Sequence, residues 1–292
     1  MITKSSGNPG KILKLLKLPS RSPFIGALRY SILIILTFIA LFPLIWLFMT
    51  SLKNEIDIFA RPPVLVFRPT FQAYRYIAKM GFLEKYFLNS LTVATLTVVV
   101  SLVIGGLGAY SLARFRFTGN SFLAFIILAS RMLPGVVLVI PLYLLMQRFK
   151  LTNTRTALII AHTAFNLPFV VWILRSYLAS IPRELEEAAM IDGASRLLAI
   201  RKVIAPLSTP GIVATAMFTF LSSWNEFLFA LNLTFSPEAQ TMPVAVTGFI
   251  SARGIAWGEL SAAATIMLLP GLLFGIFARK YIVSGLTRGA IK

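Results

Sequence analysis

Six long apolar runs dominate this chain, and no other feature limits its fold as strongly. They lie at roughly 28–50, 87–113, 121–146, 156–179, 210–232 and 260–283. Each is long enough, at about 20 or more residues, for an α-helix to cross the hydrocarbon core of a bilayer. The expected fold class is therefore all-α, a polytopic membrane helix bundle with six transmembrane helices. Composition agrees: 57% of the 292 residues are hydrophobic and 13% are charged, about half the charged share of a soluble domain. Pro134 and Pro141 in the third run and Pro168 in the fourth predict kinks that neighbouring helices can tolerate.

The net charge of +18 does not point to nucleic acid, because Lys and Arg cluster between the apolar runs. That distribution sets membrane orientation. Seventeen of them fall on the side of the N-tail and the 180–209 loop, and ten on the other. The expected organisation is a basic cytoplasmic N-tail (1–27), a six-span domain (28–283) with a cytoplasmic loop at 182–210, and a cytoplasmic C-tail (284–292). No cleaved signal is expected, since a long basic stretch precedes the first run without a small-residue cleavage site after it. Residues 51–86 and 233–259 then face outside, the first as an ordered lobe, the second as an irregular or re-entrant stretch. With no cysteine and a single histidine, His162, neither a disulfide nor a protein-built metal centre is expected.

The loop PRELEEAAMIDGASRLLAIRKVIAPLSTP (182–210) gathers four of the ten acids, Glu184, Glu186, Glu187 and Asp192. Pro182 suits a helix start, and acids in the first turns complement the helix dipole. Asp192-Gly193 should stop that helix. Ser195 should cap a second one, with Arg201 and Lys202 near its C-terminal end. Leu197, Ile200, Ile204 and Leu207 recur at helical spacing, and Pro206 and Pro210 close the segment. The result is a helix-turn-helix with a small tip made by Ala188, Ala189 and Gly193. Such a tip suits entry into a groove on a partner, although a hairpin that merely connects two spans has the same pattern.

Glu187-Ala188-Ala189, then Asp192-Gly193-Ala194, with Pro206 thirteen residues after the glycine and Pro210 four later, resemble the EAA loop of ABC importer permeases. Ile200 departs from the pattern, where many relatives carry Phe. Trp224-Asn225-Glu226-Phe227, the ending Gly285-Leu286-Thr287-Arg288-Gly289-Ala290, and Ala109-Tyr110-Ser111-Leu112-Ala113-Arg114-Phe115 are similar to the maltose-type carbohydrate permeases. The resemblance implies a multi-pass protein of a bacterial-type inner membrane that works with a second homologous permease, two ATPase subunits and an extracytoplasmic solute-binding protein. It also implies that Glu187, Ala188, Ala189, Asp192, Gly193, Ala194, Pro206 and Pro210 form the loop that couples to the ATPase. ATP and Mg would sit on that partner, since the only Gly-Lys pair here, Gly10-Lys11, lacks a phosphate loop around it. This chain is thus expected to have no catalytic residues and no cofactor of its own. The expected solute is a sugar or polyol; a non-sugar solute, or a secondary transporter, is the alternative.

Within the spans, Glu226 is the one acid placed in the membrane, where a carboxylate is costly. Trp224, Asn225 and Glu226 could line the path or its external gate, or Glu226 could be a solvated anchor near the interface. His162 and Asn166, one turn apart, suggest hydrogen bonds between helices; Asn166 is also a candidate for the path. Arg131 could line it too, reach the outer surface, or pair with Glu226. Gly105, Gly106 and Gly108 suggest close helix packing.

Overall fold

The computed structural model describes the backbone of residues 23–252 and 254–289. The expected N-tail before residue 23, and residues 290–292 of the C-tail, lie outside these. The chain divides into two compact units, Met1–Met49 and Thr50–Lys292. The described part of the first is a single helix, α1 (Pro23–Ser51), which runs to the start of the second unit and contains Pro43. Its apolar side chains from Tyr30 to Phe48 are largely exposed, as on a helix whose surface meets lipid.

The second unit is built on two long helices, α4 (Leu88–Arg114) and α7 (Arg155–Ala179). The buried face of α4 is small: Ser90, Ala94, Thr97, Ser101, Gly105 and Ala109 recur at three- and four-residue intervals. Small side chains let membrane helices approach closely, where packing replaces the missing hydrophobic drive. At Gly105 the approach is closest, since a Cβ there would lie 2.7 Å from Val170 Cγ1 on α7. The packing expected of the glycines is thus found at Gly105, while Gly106 and Gly108 have room for a Cβ at ordinary contact distance.

Around this pair the other runs are less regular than their apolar content suggests. The third is α5 (Asn120–Ser130) and α6 (Gly135–Arg148), bent by 95°. Pro134, with extended backbone, ends the break as the N-cap of α6. Pro141 and Pro168 are accommodated inside α6 and α7. The fifth run is α10 (Thr209–Trp224), an interruption at 225–227, and α11 (Leu228–Leu233); the single span expected at 210–232 is corrected to two pieces. The sixth belongs to α13 (Trp257–Gly289), which holds Pro270. Among the described residues, four helices are long and apolar enough to cross a membrane, and up to six spans result if two bent pairs, α5 with α6 and Arg196–Leu207 with α10, each count as one.

The segment 51–86 folds as expected into ordered structure: α2 (Glu55–Phe59), α3 (Gln72–Lys79) and a π-helical turn, Leu83–Phe87, leading into α4. Residues 233–259 contain α12 (Met242–Thr247) and a two-residue hairpin, β1 (Ile250–Ser251) and β2 (Gly254–Ile255). The two segments share one core, in which Ile77, Phe82, Trp224, Met242 and Phe249 are buried together. Polar ties close it. Asn89 donates to the carbonyls of Pro237 and Gln240 at 3.0 and 2.9 Å, and Ser90 Oγ accepts from Met242 N at 2.8 Å.

Candidate functional site

The loop at 182–210 forms the hairpin its residues predict. α8 (Glu184–Ile191) carries Glu184, Glu186 and Glu187 in its first turn. It ends in a Schellman motif: Ala194 N donates to Ala189 O and Gly193 N to Met190 O, at 3.0 and 3.1 Å. That geometry needs a left-handed residue, supplied by Gly193 at φ +91°. Ser195 then accepts from Leu198 N and starts α9 (Arg196–Leu207), which contains a π turn at Ile200–Ile204. α9 meets α10 at 79°. Pro206 and Pro210 both lack the N–H that would carry a helix through Ser208.

Glu187, Ala188, Asp192, Gly193 and Pro206 are exposed, while Ala189, Ala194 and Pro210 are half-buried. A Cβ at Gly193 would meet nothing within 4 Å. Ile191 is 86% exposed at the tip, an apolar side chain that this unit leaves uncovered. The apolar stripe of α9 is only partly buried: Ile204 is 1% exposed, whereas Leu197 and Leu207 are 70% and 45% exposed. The extra residue of the π turn shifts the helical phase between them.

One of the four acids turns the other way. Glu186 is buried, and its Oε2 lies 3.1 Å from Arg114 Nε at the end of α4. Tyr110, one turn earlier on α4, donates its hydroxyl to Glu186 Oε1. Arg114 Nη1 also donates to Ile181 O at 3.0 Å, and Arg183 Nη2 to Ala113 O at 3.1 Å. The sequence reading missed this knot. The signal for it was the i, i+4 pairing of Tyr110 with Arg114 at the end of an apolar run, opposite an acid-rich loop.

Near the other end of the spans a second polar cluster joins α7 to the break after α10. His162 Nδ1 lies 2.7 Å from Ser223 Oγ and Nε2 lies 3.1 Å from Glu226 Oε2. An ionised carboxylate can only accept, so Nε2 donates to it; when the ring is neutral, Nδ1 then accepts from the Ser223 hydroxyl. Glu226 also accepts from Phe229 N and Ala230 N at 2.8 and 3.1 Å, capping α11. His162 therefore makes the interhelical bonds its position suggests. The order hydroxyl–imidazole–carboxylate is that of a hydrolytic triad, but Ser223 is only 4% exposed, and its hydroxyl is spent on the helix contact.

Each of the expected path residues has partners within the protein. Trp224 is buried: its indole N–H donates to Met267 O at 3.0 Å, and its ring stacks on Phe220. Asn166 is also buried, and donates to His162 O within its own helix at 2.8 Å. The suggested Arg131–Glu226 pair is corrected. Arg131 donates instead to Phe165 O at 2.7 Å, with its guanidinium 4.3 Å from the Phe165 ring centroid, while Glu226 is engaged by His162. Asn225, exposed, donates to Leu221 O at 2.9 Å. Among the described residues, no group of three His, Cys, Asp or Glu could hold a metal ion.

A spanning bundle with a protruding helical hairpin is the architecture of a transport permease, and comparison with known proteins agrees. Residues 101–288 match the family described as "Binding-protein-dependent transport system inner membrane component". The chain belongs to this family, and is an ABC transporter permease. It is similar to the trehalose/maltose transport system permease protein MalG of Thermococcus litoralis, 36% identical over 262 residues, 89% of this chain and 94% of that protein. It is also similar to the diacetylchitobiose uptake system permease protein DasC of Streptomyces coelicolor, 36% identical over 252 residues, 86% and 91% of the two chains. Its fold matches a chain in the crystal structure of a bacterial ABC transporter that imports alginate, with a TM-score of 0.77 and 24% identity over 90% of this chain and 99% of that one.

Proposed function

We propose that the chain forms half of the translocation path of an ATP-driven sugar importer and receives the force for transport through its 182–210 hairpin. The functions of relatives of similar length, trehalose/maltose transport and diacetylchitobiose uptake, support a carbohydrate solute. A family named for dependence on a binding protein supports delivery by an extracytoplasmic partner. In this reading a second permease completes the path, and two ATPase subunits hold ATP and Mg. Both termini and the hairpin are cytoplasmic, consistent with the Lys and Arg bias.

One observation carries the coupling role: a rigid hairpin whose tip is small and exposed while its root is buried. Glu187 and Asp192 offer charge to a basic groove; Ala188 and Gly193 let the backbone approach. Closure of the ATPase pair would move this tip, and the spans would alternate between inward and outward access. Of the residues expected along the path, Trp224, Glu226, Arg131 and Asn166 are engaged by protein partners, and Asn225 is exposed and open to it.

The test replaces Glu187 by Lys and Gly193 by Val. Both variants should insert in the membrane yet lose uptake of radiolabelled trehalose or maltose and lose co-purifying ATPase subunits. Normal uptake with the ATPase still attached would refute the docking role.

A further inference from the structure

We propose that Glu186, Arg114 and Tyr110 are a clamp that makes the end of α4 move with the hairpin. The chain itself joins the hairpin to two helices, α7 through residues 180–183 and α10 through Ser208. Nothing in the connectivity ties it to α4. The side chains do: Glu186 forms an ion pair with Arg114 and accepts from Tyr110, Arg114 reaches back to Ile181 O, and Arg183 reaches Ala113 O. Arg196, at the start of α9, lies 4.9 Å over the ring of Phe115, the residue that ends α4. Both halves of the hairpin therefore hold one helix end.

The clamp rests on the reading of the hairpin as the force-receiving element, and gives it a direction. α4 packs along most of α7 and also against α10, so a hairpin fixed to α4 drives three helices as one body. An exposed linker would not bury an ion pair, because a buried charge is tolerated only when paired and hydrogen-bonded. Glu186 and Arg114 are at most 6% exposed by side chain, on a hairpin whose other acids are open to solvent. Both are positioning residues: they touch neither nucleotide nor solute.

The chain has no cysteine, so spin labels can be placed singly. Labels go on Thr118→Cys, in the turn after α4, and Lys202→Cys on α9, both at exposed positions. The complete transporter, co-purified with its ATPase subunits and placed in lipid nanodiscs, is measured by pulsed electron resonance with and without Mg-ATP. The unaltered clamp should give one narrow distance distribution that does not shift with nucleotide. Glu186→Ala should broaden it and let it shift with Mg-ATP. Glu186→Gln, which keeps an acceptor for Tyr110, should fall between them and serves if the alanine variant does not fold. A nucleotide-dependent shift in the unaltered clamp, or a distribution as narrow in Glu186→Ala, would overturn the proposal. If no ATPase subunits co-purify with the unaltered chain, it is the docking reading that fails. The clamp is then judged on the chain alone, by whether Glu186→Ala broadens the distribution.

Discussion

Replacing Glu226 separates two roles for a carboxylate inside the spans, a ligand for the solute or a structural cap. In the structure it accepts three hydrogen bonds, from Phe229 N, Ala230 N and His162 Nε2. Glu226→Ala removes a helix cap, which costs about 0.5–2 kcal/mol. It also leaves the buried His162 N–H unpaired, at about 1–3 kcal/mol. The expected total is about 1.5–5 kcal/mol. Glu226→Gln behaves differently. Its oxygen can still accept from Phe229 N, and its amide can donate to His162 if the ring changes tautomer, so that Nδ1–H donates to Ser223. Only the bond to Ala230 N is then lost, at about 1 kcal/mol.

The assay pairs thermal unfolding of the detergent-purified protein with uptake kinetics in vesicles. Melting temperature should fall in the order wild type, Glu226→Gln, Glu226→Ala, while the uptake KM of the glutamine variant stays within about twofold of wild type. A hydrogen bond from the solute to Glu226 would give the opposite pattern. The glutamine variant would then melt as wild type does and its KM would rise about tenfold, the equivalent of about 1.4 kcal/mol. That result would refute the capping role.

Gly105→Ala should destabilise the protein by about 1–3 kcal/mol through overpacking, because its Cβ would meet Val170 Cγ1 at 2.7 Å and a β-branched side chain has few rotamers to retreat into. Val170→Ala in the same chain should recover much of the loss, read as non-additive melting shifts. The melting shifts of Arg131→Ala and Glu226→Ala should add, since the two side chains have different partners; a coupling above about 0.5 kcal/mol would revive the ion pair. For orientation, Ile191→Cys should react with a membrane-impermeant maleimide only from the cytoplasmic side and Glu238→Cys only from the external side, both residues being exposed.

What was legible in the sequence follows from how local each feature is. The hairpin was read almost in full because its determinants are neighbours: acids in a first turn, Gly193 where the backbone must turn left-handed, Ser195 three residues before the N–H it caps. Helix ends of this kind need no knowledge of the rest of the fold. The apolar runs were equally plain, but their breaks were not. Apolar content measures suitability for lipid and is indifferent to a bend, so 210–232 looks like one span although α10 ends at Trp224 and Glu226 caps the start of α11. Pro134 hinted at the other break; nothing of that kind marks 225–227.

The charged residues divide along the same line. A carboxylate in an apolar run is visible at once as a cost, and Glu226 was singled out on that ground. The group that offsets the cost was not visible, because His162 lies 64 positions away and Arg131 was as plausible a partner by charge. Arg131 is satisfied by a carbonyl and an aromatic face, neither of which sequence composition distinguishes from dozens of others. Glu186 was harder still. Four acids in nine residues invite a single explanation, a surface for a partner, and only helical rotation separates the one that faces the spans from its neighbours. Glu186 faces the spans and Glu187 faces solvent, so adjacent residues of one type serve opposite sides of the same helix. A change at either position should therefore be read against the other before any loss of transport is assigned to docking.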